Sequence, residues 1–139
     1  MISLRLKGFL RGDRALPFIK ISIRSQIPKI KKSFDFLIDT GSDITFISRK
    51  DAITSGISFS KLGTPQKSII GIGSGARRWP IKATLHFINE EKKIEKFPSE
   101  IYIVETGTEC PSILGRDFII KNNFKLVYDY PNKQVYLEK

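Results

Sequence analysis

The chain has 139 residues, a formal net charge of +10 at pH 7 and 40% hydrophobic residues, with one cysteine and one histidine. This length fits a single domain, residues 1–139, with a core of its own. One cysteine excludes an intrachain disulfide, and with one histidine it supplies too few ligands for a zinc site, so we expect neither a metal nor a cofactor. No apolar run approaches the roughly 20 residues of a spanning helix, so we expect a cytoplasmic protein without membrane contact.

The basic residues are spread along the chain, with one denser run of lysines at residues 28–32. They are not gathered into an arginine-rich stripe with interleaved aromatic residues, which is the pattern typical of a nucleic-acid-binding face. A solvated basic surface is therefore the favoured interpretation. A real preference for acidic partners, acidic substrates or nucleic acid stays open as the alternative.

The first third of the chain shows the pattern of β-strands. Apolar and polar residues alternate over residues 2–6 and again over residues 18–25, as in half-buried strands. Residues 34–38 are almost continuously apolar, which is typical of a more deeply buried strand. A short helix is predicted over residues 49–55, because Ser48 and Asp51 form a capping-box pattern and Gly56 offers a C-terminal stop.

The segment between the buried strand and this helix contains Asp39, Thr40, Gly41 and Ser42. An acid that ends an apolar run and is followed by small residues predicts a strand, a tight turn and a second strand, with the carboxylate on the turn. Gly41 permits close backbone packing, and the two hydroxyls can donate hydrogen bonds. For this motif alone, an ordinary hairpin with an exposed aspartate is the competing interpretation.

A glycine-rich segment occupies residues 67–79 and includes Gly71, Gly73 and Gly75. Its spacing loosely fits the dinucleotide-binding motif G-x-G-x-x-G/A, which requires a helix immediately afterwards. Here residues 81–87 alternate as a strand instead. The sequence therefore favours a mobile hairpin over a nucleotide-binding loop.

The C-terminal half is also predicted to be mostly strand. Residues 94–97 and 101–104 have strand character and are separated by Pro98. Residues 113–115 form a strand that leads into a short helix over residues 116–122. A closing hairpin is expected from residues 125–130 and 134–137, which flank a turn sequence.

Three motifs in this order, D-T-G-S at residues 39–42, the glycine-rich hairpin and I-L-G-R-D at residues 113–117, resemble the retropepsin-like aspartic proteases. This family contains the retroviral proteases and their cellular relatives. The resemblance covers roughly residue 19 to the C-terminus. It implies an all-β, single-lobe retropepsin-like fold, closed like a β-barrel, with one or two short helices and a glycine-rich flap hairpin.

The resemblance implies an aspartic endopeptidase that acts on peptides or unfolded proteins. The chain has one D-T-G. Since two carboxylates must share the work of activating water, the second catalytic Asp39 is expected from the other chain of a homodimer. The remaining implied roles are support of the active-site loop by Thr40, Gly41, Ser42, Leu114 and Gly115, and flap contacts with substrate by Ile70, Gly71, Ile72, Gly73, Ser74 and Gly75.

Two further expectations concern residues next to the turn. Asp43 and Arg116 stand where retroviral proteases form a structural ion pair, and Asp43 with Ile44 would line an apolar subsite that prefers hydrophobic residues around the cut. The hydroxyl of Ser42 is expected to donate to Asp39 and to favour its charged form. Two alternatives stay open: a non-catalytic peptide-binding module of the same fold, and a basic β-domain that contacts nucleic acid.

Overall fold

The computed structural model describes residues 4–67 and 76–139. The described residues form mainly β-strands, with two short α-helices and one 3-10 helix at Phe59–Lys61. The α-helices are α1 at Arg49–Thr54 and α2 at Arg116–Lys121. The strands are β1 Arg5–Lys7, β2 Phe9–Arg11, β3 Leu16–Ser25, β4 Ile30–Ile38, β5 Phe46–Ile47, β6 Gln66–Lys67, β7 Arg77–Ile88, β8 Ile94–Val104, β9 Ser112–Leu114, β10 Lys125–Asp129 and β11 Gln134–Glu138.

Six strands close into a barrel. Their order is β3, β4, β9, β5, β8 and β7, and the ring closes where β3 pairs with β7. Two of the pairs, β4 with β9 and β5 with β8, are parallel. Strand β2 extends the sheet from β3, and β6 extends it from β7. The predicted all-β, closed barrel-like fold with short helices is confirmed.

The two ends of the described chain meet in a separate three-stranded sheet. Strand β11 lies in its centre and pairs antiparallel with β1 on one side and β10 on the other. Strands β10 and β11 form the closing hairpin that the sequence predicted. This sheet brings the N-terminal and C-terminal segments together, and its outer strands β1 and β10 have no further strand partner among the described residues.

The barrel interior is filled because side chains alternate along its strands. In β7, Trp79, Ile81, Ala83, Leu85 and Phe87 are buried, whereas the residues between them are exposed or half-buried. A cluster of phenylalanines then packs α2 against the barrel, with ring centroids 5.3 to 5.7 Å apart. Its members are Phe87, Phe97, Phe118 and Phe124.

The first helix begins at Arg49, as the sequence predicts, and ends at Thr54, one residue before the predicted end. The backbone N–H of Asp51 donates to the Ser48 hydroxyl at 3.4 Å, so Ser48 caps the N-terminus. Gly56 follows the helix with a φ of +82°, a conformation that favours glycine.

Pro98 does not interrupt the strand that contains it. The sequence predicted two strands on either side of this proline, but β8 runs continuously from Ile94 to Val104. The reason is tertiary: β5 reaches β8 only at Tyr102 and Ile103, so near Pro98 the strand has β7 as its one described strand neighbour. A proline is tolerated at such an edge because its missing N–H removes no bond on the open side.

The described residues contain no helix of the length and apolar character needed to cross a membrane. The expected cytoplasmic location stays a prediction. Within the same residues, no group of three or more histidine, cysteine or acidic side chains is placed to hold a metal ion.

Candidate active site

Asp39 lies directly after the last residue of β4, where the barrel sheet ends. Its backbone N–H donates to the carbonyl of Leu114 in β9 at 3.0 Å, so the parallel pairing of β4 with β9 continues to this residue. The turn closes where the Ser42 N–H donates to the Asp39 carbonyl at 3.1 Å. The N–H of Gly41 donates to Asp39 Oδ1 at 2.9 Å and orients the half-buried carboxylate.

Gly115 lies directly beneath this turn. A Cβ atom at this position would stand 2.3 Å from the Ile44 carbonyl oxygen and 2.9 Å from that of Ser42. The neighbouring N–H of Arg116 donates to the same Ser42 carbonyl at 2.8 Å. Only glycine therefore lets β9 and the start of α2 support the turn at this distance.

Thr45 and Asp117 connect the turn to α2, a connection that the sequence analysis missed. The Thr45 hydroxyl donates to Asp117 Oδ1 at 2.7 Å, and the Thr45 N–H donates to Oδ2 at 3.0 Å. The same hydroxyl accepts the Gly115 N–H at 3.0 Å. Because Thr45 is only 1% exposed, these bonds satisfy polar groups that water cannot reach.

The predicted ion pair between Asp43 and Arg116 is not present. Among the described residues, no carboxylate of Asp43 lies within 4 Å of a basic group. Arg116 reaches over the turn instead, and its Nη1 donates to the Thr40 carbonyl at 2.6 Å. Asp117, the next residue in α2, accepts a hydrogen bond from the Thr45 N–H after the turn. Asp43 is exposed on the surface.

The expected bond from Ser42 to Asp39 is also absent. The Ser42 hydroxyl donates to the Ile44 carbonyl at 2.8 Å and accepts the Ile44 N–H at 3.4 Å. The side chain is therefore occupied by a local turn two residues along the chain. This geometry gives Ser42 a role in shaping the loop, and its side chain makes no hydrogen bond with the Asp39 carboxylate in the described chain.

A small apolar cluster packs beside the turn. Phe46, Val104 and Ile113 are buried at its centre, and the partly buried residues around them are Leu37, Ile44, Ala76, Tyr102 and Cys110. Burial raises the pKa of the Cys110 thiol, and the negative charge of Asp39 acts in the same direction. Cys110 is thus a partly buried packing residue of this apolar cluster.

A model of the retroviral aspartyl protease family matches residues 13–127 of the chain. The chain belongs to the retroviral aspartyl protease family. Among solved structures it is similar to a retropepsin-like aspartic protease from Rickettsia conorii, at a TM-score of 0.61 and 16% identity over 99% of this chain and 95% of that one. It is also similar to EIAV protease complexed with the inhibitor HBY-793, at a TM-score of 0.49 and 15% identity over 85% of this chain and 98% of that one.

The Rickettsia match shows a shared fold, and the family assignment confirms the resemblance that the three sequence motifs indicated. Of the implied retropepsin site, the structure brings together Asp39, Gly41, Ser42, Leu114 and Gly115 around one turn. Thr40 lies at the exposed tip of this turn. Ile44 lies half-buried between the turn and the apolar cluster.

The expected flap residues, Ile70, Gly71, Ile72, Gly73, Ser74 and Gly75, lie outside the described residues. On either side of them, β6 and the start of β7 pair antiparallel. Arg77 in this part of β7 forms a bidentate ion pair with Glu105, with N···O distances of 2.8 and 2.9 Å. The hydrogen bond from Arg77 lowers the pKa of Glu105, so the pair stays charged at neutral pH.

Proposed function

We propose that the protein is an aspartic endopeptidase whose active site forms between two copies of the chain, each contributing Asp39. One observation carries the proposal: a single carboxylate is held on a rigid turn at the end of a barrel strand by the backbone of Leu114 and Gly41. Family membership supports the same chemistry. Since the sequence contains one D-T-G, a complete pair of aspartates requires a second chain.

In the proposed dimer, the two Asp39 carboxylates share one proton, because two like charges a few ångströms apart cannot both ionise. The ionised carboxylate takes a proton from a water molecule while the water oxygen attacks the scissile carbonyl carbon. The protonated carboxyl donates to the carbonyl oxygen. The roles then exchange when the leaving amine is protonated. Because water is the nucleophile, no covalent intermediate with the enzyme forms.

The exposed position of Thr40 suits a contact between the two chains. In the proposed dimer its side chain bonds to the backbone of the opposite turn, while Arg116 fixes its carbonyl within the same chain. The terminal sheet offers further surface, because β1 and β10 have no strand partner on their outer sides among the described residues. Pairing there would let the closing hairpin contribute to dimerisation.

The proposed substrates are peptides or unfolded proteins with hydrophobic residues around the cut. The apolar cluster beside Asp39 supports this preference, since Ile44 and Leu37 line it with aliphatic side chains. Residues 70–75 are proposed to close over the bound peptide as a flap. No cofactor is needed for this chemistry.

The test is hydrolysis of unfolded casein between about pH 3 and pH 7, with and without a transition-state-like aspartic protease inhibitor. We expect cleavage that the inhibitor blocks and that Asp39→Asn abolishes. Asp13→Asn is the matched control, because Asp13 is an exposed acid in the turn between β2 and β3. Peptide binding without any cleavage would contradict the proposal and would indicate a non-catalytic module of the same fold.

Mixing of subunits tests the shared site separately. If each site needs two intact chains, an equal amount of Asp39→Asn protein should lower wild-type activity to about one half, and a ninefold excess to about one tenth, after subunit exchange. The Asp13→Asn protein should not inhibit. Activity that is unchanged by the Asp39→Asn protein would show that one chain is sufficient.

A further inference from the structure

A groove of about 860 Å³ lies between the turn of the β3–β4 hairpin and the neighbouring strands β7 and β8. Its apolar walls come from Ile27 and Ile30 on the hairpin and from Pro80, Ala83 and Pro98 on the strands. Ile27 is 88% exposed, so this side of the groove presents an aliphatic side chain to a partner. We call this site the basic groove, for the charges described next.

Five cationic side chains line the basic groove, and Glu100 is its one acidic lining residue. In the described part of the chain, none of the five forms an ion pair with a carboxylate. A set of unpaired like charges around one concave site attracts an anionic partner. The five are Arg24, Lys29, Lys31, Lys82 and Lys121.

One groove cation, Arg24, also acts on His86. This residue lies on β7 and pairs with Ser22 of β3, two residues before Arg24. Burial lowers the pKa of His86, and the positive charges of Arg24 and Lys96 lower it further. Of the two cations that act on His86, Arg24 lines the basic groove, so positive charge is concentrated at this end of β3.

The basic groove also contains an open strand edge. Strand β7 pairs with β3 only at its residues 84–86, and β7 pairs with β6 only at Arg77 and Arg78. The indole Nε1 of Trp79 donates to the Gly63 carbonyl at 3.1 Å, so the segment at Gly63 lies next to β7 at this residue. Residues 80–83 thus have β8 on one side and no described strand on the other, which leaves space for an extended segment of about four residues.

The groove is separate from the catalytic turn. The hairpin residues that line the groove lie before and at the start of β4, which begins at Ile30. Asp39 follows the other end of that strand, which ends at Ile38. Along β4, Ile30 at the hairpin end of the groove lies roughly 26 Å from Ile38, at about 3.3 Å per residue. A ligand held at this hairpin end would therefore not occupy the position of a scissile peptide bond.

The lining distinguishes between two kinds of anionic partner. Single-stranded nucleic acids bind through bases that stack on aromatic side chains, and none of the residues that line the groove is aromatic. Aliphatic walls next to an open strand edge instead suit a polypeptide that is added as a strand. We propose that the basic groove binds an extended acidic segment of a partner protein, with its carboxylates facing Arg24, Lys29, Lys31 and Lys82 and an aliphatic side chain against Ile27.

The test measures fluorescence anisotropy of a labelled peptide that alternates glutamate with valine, at neutral pH and physiological salt. The wild-type chain is used, and the intact mass of the probe is checked afterwards. The groove variant is Lys29→Glu with Lys82→Glu, since both residues are exposed and their replacement should not impair folding. The control is Lys61→Glu with Lys92→Glu, two exposed lysines outside the groove that change the net charge by the same amount.

We expect the groove variant to weaken peptide binding about tenfold or more, and the control variant by no more than about threefold. Ile27→Ser leaves the net charge unchanged and should weaken binding by about three- to tenfold. Equal losses in the two double variants, or no binding by the wild-type chain, would overturn the proposal. It would also be overturned if an oligonucleotide of the same charge bound more tightly and lost affinity in the groove variant only.

Discussion

The hydroxyl of Thr45 and the carboxylate of Asp117 form a short hydrogen bond of 2.7 Å that joins the loop after Asp39 to helix α2. Two more bonds complete the arrangement, from the Thr45 N–H to Asp117 and from the Gly115 N–H to the Thr45 hydroxyl. Asp117 Oδ1 also accepts the N–H of Phe118 at 2.8 Å. The carboxylate of Asp117 thus fixes, through Thr45, the loop that follows the proposed catalytic residue.

The first prediction is that Asp117→Ala destabilises the protein by about 2–3 kcal/mol, because the buried hydroxyl and N–H of Thr45 lose their acceptor. Asp117→Asn should cost less, since one oxygen remains. The measurement is urea unfolding at a fixed protein concentration. The control is Asp43→Ala, an exposed acid near the same turn, which should change stability by less than about 0.5 kcal/mol. An equal cost for the two alanine variants would contradict the assigned role of Asp117.

The second prediction concerns the contact beneath the turn. Gly115→Ala should lower stability by about 3 kcal/mol or prevent folding, because the added Cβ would lie 2.3 Å from the Ile44 carbonyl oxygen. Gly107→Ala is the matched control: a Cβ there meets nothing within 4 Å. We expect the control to have a wild-type melting temperature. A stable Gly115→Ala protein would show that β9 can move away from the turn at little cost.

The third prediction concerns Arg116. Its guanidinium donates a hydrogen bond to the Thr40 carbonyl and forms no ion pair with Asp43 in the described chain. Arg116→Ala should therefore cost about 1 kcal/mol in stability. The charge-swapped protein, Asp43→Arg with Arg116→Asp, should be no more stable than the Arg116→Asp single variant. Recovery of stability in the swapped protein would show that the two side chains do pair, for example after dimerisation.

The individual strands of the barrel could be predicted from the sequence because the pattern that specifies a strand is local, whereas the closed barrel was implied by the family resemblance. Alternation along β3 and β7 follows from which side chains fit a half-buried strand, and the Ser48 cap requires only residues three positions apart. The turn at Asp39 was predictable for the same reason. Its carboxylate follows an apolar strand directly, and Gly41 supplies the N–H that orients it.

The contacts that the sequence did not predict depend on distant residues. Thr45 and Asp117 are 72 positions apart, and an acid in the first turn of a helix is ordinarily explained by the helix dipole alone. The sequence predicts a strand break at Pro98, because the position of this proline at a sheet edge depends on how far β5 extends, which the sequence does not show. The direction of the Ser42 hydroxyl likewise depends on the backbone of Ile44.

The fourth prediction is a pH dependence of the terminal sheet. Hydrogen bonds from Lys125 and Arg5, at 3.1 and 3.0 Å, hold the pKa of Glu138 below its ordinary value, although burial opposes them. A depressed carboxylate pKa contributes stability above the ordinary value of about 4.3, and this stability is lost as the pH falls through the lower folded value. Glu138→Gln should therefore melt below wild type at pH 7, and the difference should close under acidic conditions.

Thermal melting at a series of pH values measures this effect. Glu109→Gln serves as the control, because Glu109 is an exposed loop residue. Its melting temperature should follow that of the wild type at every pH. A Glu138→Gln protein whose deficit persists unchanged well below about pH 3 would show that lost packing, not lost charge, causes the difference. If the terminal sheet forms part of the dimer interface, sedimentation at pH 7 should also show weaker association for this variant.

The last prediction concerns Ser42, whose hydroxyl donates to the Ile44 carbonyl at 2.8 Å. Ser42→Ala should lower stability by about 1 kcal/mol, the usual worth of one such hydrogen bond, and should leave the acidic limb of the kcat/KM profile in place. Ser99→Ala is the matched control for stability, because the Ser99 hydroxyl also donates to a carbonyl two residues away, at 3.2 Å. If the acidic limb instead moves upward by about half a pH unit or more, the hydroxyl reaches the Asp39 carboxylate in the working enzyme, and the local bond to Ile44 is not the one that matters for catalysis.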